Sequence, residues 1–468
     1  MPPTTGLLQA VVTGITTASM IALGAIGLSL VYSIAEVPNF AHGDLLTIGA
    51  YLALFVNEPG LVPWFNLLVD APQELSALGV VVLFSLTAAG VFGGFYALGG
   101  VDALFGAWWP FDPPSFVALT AHAAVAAILG LVVVLGMPSI IAGMIFAGAV
   151  MAGGTPLLER YVFEKFREQD VGLVMMLVVS LALAFILRFS VQTVFGGTTK
   201  SYLIQPTLVL FGTPINVATA NFFDLYVTGQ GFVLNVSDVT GGVFFSTSYS
   251  WPVVAVILLT SLVAGYAAYW WRLGERAILG PYLLGTIVAL VAFLGLGAAL
   301  GSPASVPESP IYSSRVQLSV LGAFIVLLAI AMMGVLHALL RATKLGTAMR
   351  ATSDNRELAQ IRGINTEMVT MGVWIFAGMF AGVAGVTLGF LFGTLKINMG
   401  FFLLLPMFAA VILGGITVYG AILGSYIVGL TMELALFAIP GLEATYRVPL
   451  AFVVLILVLI VKPEGITG

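Results

Sequence analysis

The chain has 468 residues, of which 60% are hydrophobic and only 8% charged, against roughly 25% charged in a typical globular protein. So little polar material excludes a soluble globule of this length, and long unbroken apolar runs exclude the alternating strands of a membrane β-barrel. We therefore predict an all-α, polytopic membrane helix bundle in the cell membrane, organised as one transmembrane domain over residues 1–468.

The charge and the cysteine content exclude several kinds of functional site. A net charge of −5 does not by itself identify a charged partner, and we expect no nucleic-acid binding. The chain has no cysteine, which excludes disulfides, thiolate metal sites and a cysteine nucleophile. The three histidines are far apart, and none has a carboxylate or a second histidine at ligand spacing, which argues against a local metal centre.

Thirteen apolar segments follow from the rule that about 20 apolar residues cross the hydrocarbon core of a bilayer. They lie near residues 7–33, 42–56, 78–99, 116–136, 138–157, 172–192, 252–271, 279–300, 316–340, 367–392, 403–416, 418–437 and 446–461. The segments at 42–56 and 403–416 are short, so we interpret them as half-helices or broken spans.

Basic residues predict the orientation of the bundle, because short cytoplasmic loops retain Lys and Arg. Basic residues cluster in three loops, near residues 158–170, 272–278 and 341–366. An even number of segments separates these loops, so all three fall on one side. Thirteen crossings then place the N-terminus outside and the C-terminus inside. The loop 100–115 contains no basic residue yet is placed inside by the same count.

A polar break interrupts the apolar sequence between the first two segments, with the residues Pro-Asn-Phe-Ala-His-Gly-Asp at 38–44. At membrane depth such a break persists only where it is buried in protein or lines a wet cavity. The break therefore indicates a translocation pathway. The alternative is a short interfacial turn in which Asn39 or Asp44 caps the next helix.

Residues 200–250 form the longest weakly hydrophobic stretch, which the segment count places outside. We interpret it as a solvated loop folded over the extracellular mouth. Alternation from Val233 to Val239 leaves short strands as the other interpretation.

The loop 341–366 is basic and contains a short helix by its sequence pattern. Ser353 or Asp354 followed by Glu357 predicts the helix start, and Gly363 before Asn365 predicts its end. This helix is either a solvated or lipid-surface segment or one that docks into a groove of a soluble partner. Its apolar face is too small to hold a membrane well, which favours docking.

Several ordered motifs carry a family resemblance. They read GLSLVYSIAEVPNFAHGDLLTIGAYLAL, ERYVFEKFREQ, LGTAMRATSDNRELAQIRGIN, FAGMFAGVAGVTLG, AAVILGGITVYGAILGSYIVGL and VLILVLIVKPEGITG. The set resembles branched-chain amino acid permeases of the ABC importer class, the LivH type. This chain is longer than the family usually is, and we assign the surplus to insertions at 60–137 and 205–310, each adding about two spans at the lipid-facing periphery. It also has Asp44 where the family motif usually has Glu.

The resemblance implies a permease subunit without catalytic residues, for branched-chain or other small neutral amino acids. It implies four partner classes: a second, LivM-like permease, two ATPase subunits that bind ATP and Mg, an extracytoplasmic substrate-binding protein, and the lipid membrane. The chain itself contains no phosphate-binding loop motif, so we expect no cofactor in it and no enzyme activity. The alternatives are a urea or short-amide ABC permease, or an ion-coupled secondary transporter, which would need several buried carboxylates.

Two groups of candidate site residues follow. Those assigned to the translocation pathway are Asn39, Phe40, His42, Gly43, Asp44, Gly414, Gly415 and Glu433. For the two glycines close helix packing is the alternative role, and for Glu433 it is pairing with a polar residue of a neighbouring helix. The residues implied to couple to an ATPase are Arg350, Asp354, Arg356, Glu357, Leu358, Ile361, Gly363, Ile364 and Asn365.

Overall fold

The computed structural model describes most of the chain, with gaps. The described residues are 3–35, 38–62, 68–71, 74–97, 139–169, 171–203, 207–210, 213–216, 220–237, 242–272, 281–307 and 310–461, with single positions at 123, 127 and 130. The predicted segment 116–136 and the loop 100–115 therefore lie essentially outside the described residues.

Helices dominate the described chain. In order they are α1 (Pro3–Ala35), α2 (His42–Asn57), α3 (Ala77–Ala97), α4 (Ser139–Leu158), α5 (Glu164–Arg167), α6 (Leu173–Phe195), α7 (Trp251–Arg272), α8 (Pro281–Leu300), α9 (Val320–Ala342), α10 (Lys344–Asp354), α11 (Arg356–Ile361), α12 (Thr366–Phe392), α13 (Met399–Leu413), α14 (Val418–Ala438) and α15 (Arg447–Val461). A π-helical turn, Glu159–Phe163, joins α4 to α5, and 3₁₀ turns occupy Pro59–Leu61 and Ala444–Tyr446.

Seven of the described helices are long and apolar enough to cross a membrane, and four shorter apolar helices accompany them. The protein is therefore a polytopic helical membrane protein. The exact number of thirteen crossings and the orientation stay predictions.

The described chain divides into two compact units. One comprises Thr13–Leu208 with Phe324–Gly468, and the other comprises Met1–Val12 with Val209–Ala323. The assignment of 1–468 as one transmembrane domain stays a prediction, as do the insertions and their peripheral placement.

The short helix α2 lies at the centre of the larger unit. It packs against α4, α6, α12 and α13, and most of its residues are buried. The long helix α12 is similarly enclosed, since it packs against both α2 and α4 and 78% of its most apolar window is buried. Both helices bury most of their residues, as expected for a helix that is surrounded by other helices.

Glycines allow α2, α4 and α12 to approach closely. A Cβ added at Gly49 would lie 2.6 Å from the Cα of Gly382, and one added at Gly382 would lie 2.8 Å from the carbonyl oxygen of Ala147. A Cβ at Gly385 would overlap the carbonyl oxygen of Leu46. These small residues thus form the helix contacts, as expected where helices associate within a bilayer.

The prediction of an all-α chain is wrong for the smaller unit, which contains an antiparallel five-stranded sheet in the order β8-β7-β6-β5-β9. Its strands are β5 (Ala220–Thr228), β6 (Gly231–Ser237), β7 (Val243–Ser250), β8 (Ser302–Pro303) and β9 (Tyr312–Ser319). Two-stranded pairs are formed by β1 (Val69–Ala71) with β2 (Glu74–Leu75), and by β3 (Thr207–Leu210) with β4 (Thr213–Asn216).

The interpretation of residues 200–250 as a solvated loop is wrong for residues 220–250, most of which form strands β5, β6 and β7. Strand β6 alternates buried and partly buried side chains over most of its length, and it pairs with β5 from Phe222–Ser237 to Thr228–Gly231. The pattern was visible in the sequence, but the strand that completes the sheet, β9, lies about ninety residues downstream of β5. Part of the segment predicted from residue 316 is thus strand, because β9 continues to Ser319 before α9 begins.

Helices α7 and α8 pack against each other in the smaller unit. The contact is made through small residues, since a Cβ added at Gly265 would lie 2.7 Å from the carbonyl oxygen of Gly285. Only 17% of the apolar window of α7 is buried, and Trp270 and Trp271 are exposed at its end. Exposed apolar residues and terminal tryptophans are typical of a helix that faces lipid.

Candidate translocation site and coupling helix

The polar break at 38–44 is anchored by a serine of α6. The Ser180 hydroxyl donates to the carbonyl oxygen of Pro38 at 3.1 Å and accepts from the backbone N–H of Phe40 at 3.2 Å. The ring of Phe40 lies 4.8 Å from that of Phe408 on α13. The break therefore lies between α6 and α13, and the backbone groups of Pro38 and Phe40 are satisfied by protein, as membrane depth requires.

Asn39 and His42 are both buried, and each is bonded locally. The Asn39 Oδ1 accepts from the backbone N–H of Ala41 at 3.0 Å, while its Nδ2 donates to none of the described residues. The His42 Nε2 lies 3.0 Å from the carbonyl oxygen of Gly24 on α1. The expected polar groups are thus inside the bundle, although they do not hydrogen-bond one another.

Asp44 forms a buried ion pair with Arg188 of α6. The Nε and Nη2 atoms of Arg188 donate to the two carboxylate oxygens of Asp44 at 2.8 and 3.0 Å. The guanidinium also lies 4.5 Å from the ring centroid of Phe401 on α13 and 5.5 Å from that of Phe185. A bidentate guanidinium–carboxylate pair with aromatic contacts is a strong interaction of specific geometry.

Sequence reasoning missed Arg188, although a signal for it was present. It is the single charged residue between Leu173 and Phe195, and an ionisable group within an apolar span indicates function by default. The carboxylate of Asp44 was identified, but its partner comes from a helix more than 140 residues away.

Gly43 permits close contact between α2 and α13. A Cβ added at Gly43 would lie 2.7 Å from the carbonyl oxygen of Gly400, and one at Gly400 would overlap the carbonyl oxygen of Gly43. The hydroxyl of Thr47 accepts from the Gly400 N–H at 3.1 Å. Gly43 thus supports the site by bringing two backbones together.

Gly414 and Gly415 form the turn between α13 and α14. A Cβ at Gly414 would overlap the backbone of Gly420, so the residue serves close packing. Gly415 has φ 70°, and Ile416, which is β-branched, has φ 59°. A β-branched residue in the left-handed region is strained, and such strain often marks a functional site.

Glu433 pairs with residues of two other helices. Its carboxylate lies 2.8 Å from Nε of Arg447 at the start of α15, and the hydroxyl of Thr17 on α1 donates to it at 3.4 Å. Pairing with neighbouring helices was one of the two roles considered for Glu433. Its place in a translocation pathway stays a prediction.

Among the described residues, no three His, Cys, Asp or Glu side chains lie close enough to hold a metal ion.

The segment 341–366 contains two helices, α10 and α11, rather than one. The hydroxyl of Thr343 accepts from the Gly346 N–H at 2.9 Å and caps α10. The side chain of Asn355 accepts from the Leu358 N–H at 2.8 Å and caps α11. The predicted start at Ser353 or Asp354 is therefore wrong, because these residues belong to the last turn of α10 and the cap lies one position later.

The predicted end of the short helix is confirmed. Gly363 has φ 84°, and its N–H and that of Ile364 bond to carbonyl groups of α11, which is how a glycine closes a helix. The Asn365 side chain then accepts from the Met368 N–H at 3.0 Å and caps α12. Three residues thus separate the end of α11 at Ile361 from Asn365, the cap of α12.

The residues implied to couple are mostly on the surface. Leu358 and Ile361 are 52% and 82% exposed, and Arg350, Asp354, Glu357, Gly363 and Asn365 are exposed as well, whereas Arg356 and Ile364 are partly buried. An exposed apolar pair on a short helix that is capped at both ends suits docking into a groove.

Comparisons with known proteins identify the family. A family model described as "Branched-chain amino acid transport system / permease component" matches residues 10–105 and 226–460. These ranges end or begin inside both stretches assigned as insertions. No solved structure shows a significant match.

Curated relatives agree with the family model. A probable branched-chain amino acid transport permease protein LivH of Methanocaldococcus jannaschii is 36% identical over 138 residues, 28% of this chain and 44% of that protein. The chain thus matches less than half of that relative's length. A high-affinity branched-chain amino acid transport system permease protein LivH of Escherichia coli K12 is 26% identical over 277 residues, 52% of this chain and 89% of that protein.

A third relative has a different substrate in its name. The autoinducer 2 import system permease protein LsrC of Salmonella paratyphi B is 29% identical over 261 residues, 49% of this chain and 71% of that protein. The resemblance found in the sequence motifs is confirmed. Because the family model covers well over half of the chain, the protein belongs to the family of branched-chain amino acid transport permease components.

Proposed function

We propose that the protein is the permease subunit of an ABC importer of the plasma membrane that moves branched-chain or other small neutral amino acids. The observation that carries the proposal is the exposed, capped helix α11, joined by four residues to α12, in a chain of this family. Its proposed partners are two ATPase subunits that bind ATP and Mg, a LivM-like second permease and an extracytoplasmic binding protein.

The pathway is proposed to follow the polar break at 38–44. Asn39, His42 and Asp44 are buried polar groups on or beside the central helix α2, and such groups within a membrane mark substrate routes. Residues Phe40, Gly43, Gly414, Gly415 and Glu433 complete the proposed set. An ion-coupled transporter is the weaker candidate, because both buried carboxylates of the set, Asp44 and Glu433, are already paired with arginines.

The pathway assignment predicts state-dependent labelling. Single replacements Asn39→Cys and His42→Cys, in a chain that has no other cysteine, are expected to react with small polar thiol reagents in at least one transport state. Mass spectrometry of the labelled permease in the presence and absence of ATP measures this. Ser201→Cys, exposed in the segment after α6, serves as a control that should react alike in every state. Cysteines at 39 and 42 that never react would contradict the pathway.

The function itself predicts ATP-driven uptake that depends on α11. Proteoliposomes holding the complete complex should take up leucine with ATP, without an ion gradient. Glu357→Arg and Gly363→Val are expected to reduce substrate-stimulated ATP hydrolysis about tenfold or more, because the first reverses charge on the docking face and the second strains a left-handed residue.

Arg362→Gln, beyond the end of the helix, is the matched control and should leave hydrolysis near the wild-type rate. Uptake of urea in place of leucine would support the alternative substrate, and uptake that collapses with an ionophore would support a secondary transporter. Unchanged coupling in both α11 variants would reject α11 as the ATPase contact.

A further inference from the structure

Arg188 of α6 uses only part of its hydrogen-bonding capacity in the pair with Asp44. A guanidinium carries its N–H donors in one plane, along two edges that can each bind a pair of oxygens. Asp44 occupies the edge formed by Nε and Nη2. The other edge, formed by Nη1 and the second N–H of Nη2, has no acceptor among the described residues. Arg188 therefore offers a free pair of parallel donors.

Two aromatic rings and Asp44 hold the guanidinium in place. Its Cζ lies 4.5 Å from the ring centroid of Phe401 on α13 and 5.5 Å from that of Phe185, one turn earlier on α6. Attraction between the cation and the rings restrains the group on one side, and the bidentate bonds to Asp44 restrain it on another. Little freedom remains to be lost when a ligand binds the free edge, and such preorganisation favours binding.

The free edge lies on the accessible side of the ion pair. The Arg188 side chain is 16% exposed, whereas that of Asp44 is 1% exposed, and no nitrogen of Arg188 is a buried atom without a partner. Hydrocarbon offers no acceptor to an N–H group. A partly exposed arginine within an apolar span must therefore face water or a polar ligand rather than lipid.

The chemistry of the free edge selects a carboxylate. Two parallel N–H donors on a cation match the two oxygens of a planar anion in distance, direction and charge, whereas an amide or a hydroxyl presents one uncharged oxygen. The exposed ring of Phe185 borders the same guanidinium and provides an apolar surface for an aliphatic group. An amino acid with an aliphatic side chain carries both of these features.

We propose that Arg188 is a specificity-determining residue of the translocation pathway, whose free edge binds the carboxylate of the transported amino acid while Phe185 contacts its aliphatic side chain. This inference rests on the proposed function, since it requires an amino acid to pass the polar break at 38–44. It also separates the proposed substrate from the urea alternative, because urea has no carboxylate and would bind this edge weakly.

Protection of a thiol beside Arg188 tests the assignment. Phe185→Cys places a single thiol in a permease that has no other cysteine, and the complete complex in nanodiscs keeps the partner subunits in place. Leucine at millimolar concentration is expected to slow the reaction of this thiol with a small polar reagent about tenfold. Leucinamide and leucinol, which lack the carboxylate, should slow it by less than about twofold. Mass spectrometry of the permease measures the rates.

The matched control is the same thiol in an Asp44→Asn, Arg188→Gln background, which removes both charges and leaves neither unpaired. There, leucine should protect no better than leucinamide, and the preference of the thiol for an anionic over a cationic methanethiosulfonate should fall about tenfold. Gel filtration and thermal unfolding establish that each variant folds. Phe189→Cys, whose native ring is exposed and lies 6.3 Å from that of Phe185, gives the same measurement with Phe185 intact.

The outcomes separate the inference from the function on which it rests. If the complex takes up leucine with ATP but leucine and leucinamide protect the thiols equally, the assignment of Arg188 is overturned and the function stands. Thiols at 185 and 189 that polar reagents do not reach in the complex would overturn it as well, because the free edge would then face the second permease or lipid. If the complex transports no amino acid, the proposed function fails and the inference fails with it.

Discussion

Replacing Arg188 with alanine is expected to destabilise the bundle by about 3–5 kcal/mol, the usual cost of removing one partner of a buried ion pair. The Asp44 side chain is 1% exposed, so it would be left as an uncompensated charge between α2, α6 and α13. Unfolding of the purified permease in mixed micelles of increasing denaturing detergent measures the change. Uptake should fall with it, because the pair is part of the proposed pathway.

Two further variants show whether the loss of stability comes from the unpaired charge of Asp44. Asp44→Asn combined with Arg188→Gln removes both charges and should recover most of the stability. Lys165→Ala breaks an exposed pair with Glu168, in which both side chains are more than half exposed, and should not change the unfolding midpoint measurably. If the Arg188→Ala protein is as stable as the wild type, Asp44 must bind another side chain or water, and the prediction is wrong.

Adding one methyl group at Gly385 is expected to destabilise the protein nearly as much as Arg188→Ala does. Its Cβ would overlap the carbonyl oxygen of Leu46, so Gly385→Ala must separate α12 from α2 and should destabilise the protein by about 3 kcal/mol. Backbone atoms cannot rotate away as a flexible side chain could. The fraction of protein that remains monodisperse after heating, together with the unfolding midpoint, measures the effect.

Gly154→Ala is the matched control, because no atom lies within 4 Å of the added methyl group and the residue is also within a membrane helix of the larger unit. It should leave stability unchanged or raise it slightly, since alanine favours helix over glycine. Equal stability of Gly385→Ala and the wild type would mean that α2 and α12 do not pack as closely as the structure shows.

Most helices could be predicted from the sequence because their apolar runs are long and uninterrupted. The polar break was recognisable for the same reason, since Asn39, His42 and Asp44 stand out against apolar neighbours. The helix stop at Gly363 followed from local backbone chemistry, which needs only adjacent residues. The apolar helices, the polar break and this helix stop each depend only on residues that are close together in the sequence.

What could not be predicted depends on partners distant in sequence. Asp44 meets Arg188, Glu433 meets Arg447 and Thr17, and Asp224 on β5 meets Arg315 on β9 at 2.6 Å. Strands were only the second interpretation of residues 200–250 for this reason too, because β5 pairs with β9, a strand that follows α7 and α8 in the chain. A local sequence pattern indicates whether a segment is a helix or a strand, but it does not identify the segments that pack against it.

Helices α10, α11 and α12 follow one another with short connections, from the surface that we propose to be cytoplasmic to the interior of the bundle. Thr343, Asn355 and Asn365 cap the first turns of these helices and fix where each one begins. From its cap to Gly385, α12 rises about 30 Å, and there it abuts the backbone of α2. We therefore expect that a displacement of α11 by a bound partner would reach α2, the helix that holds Asp44, through α12.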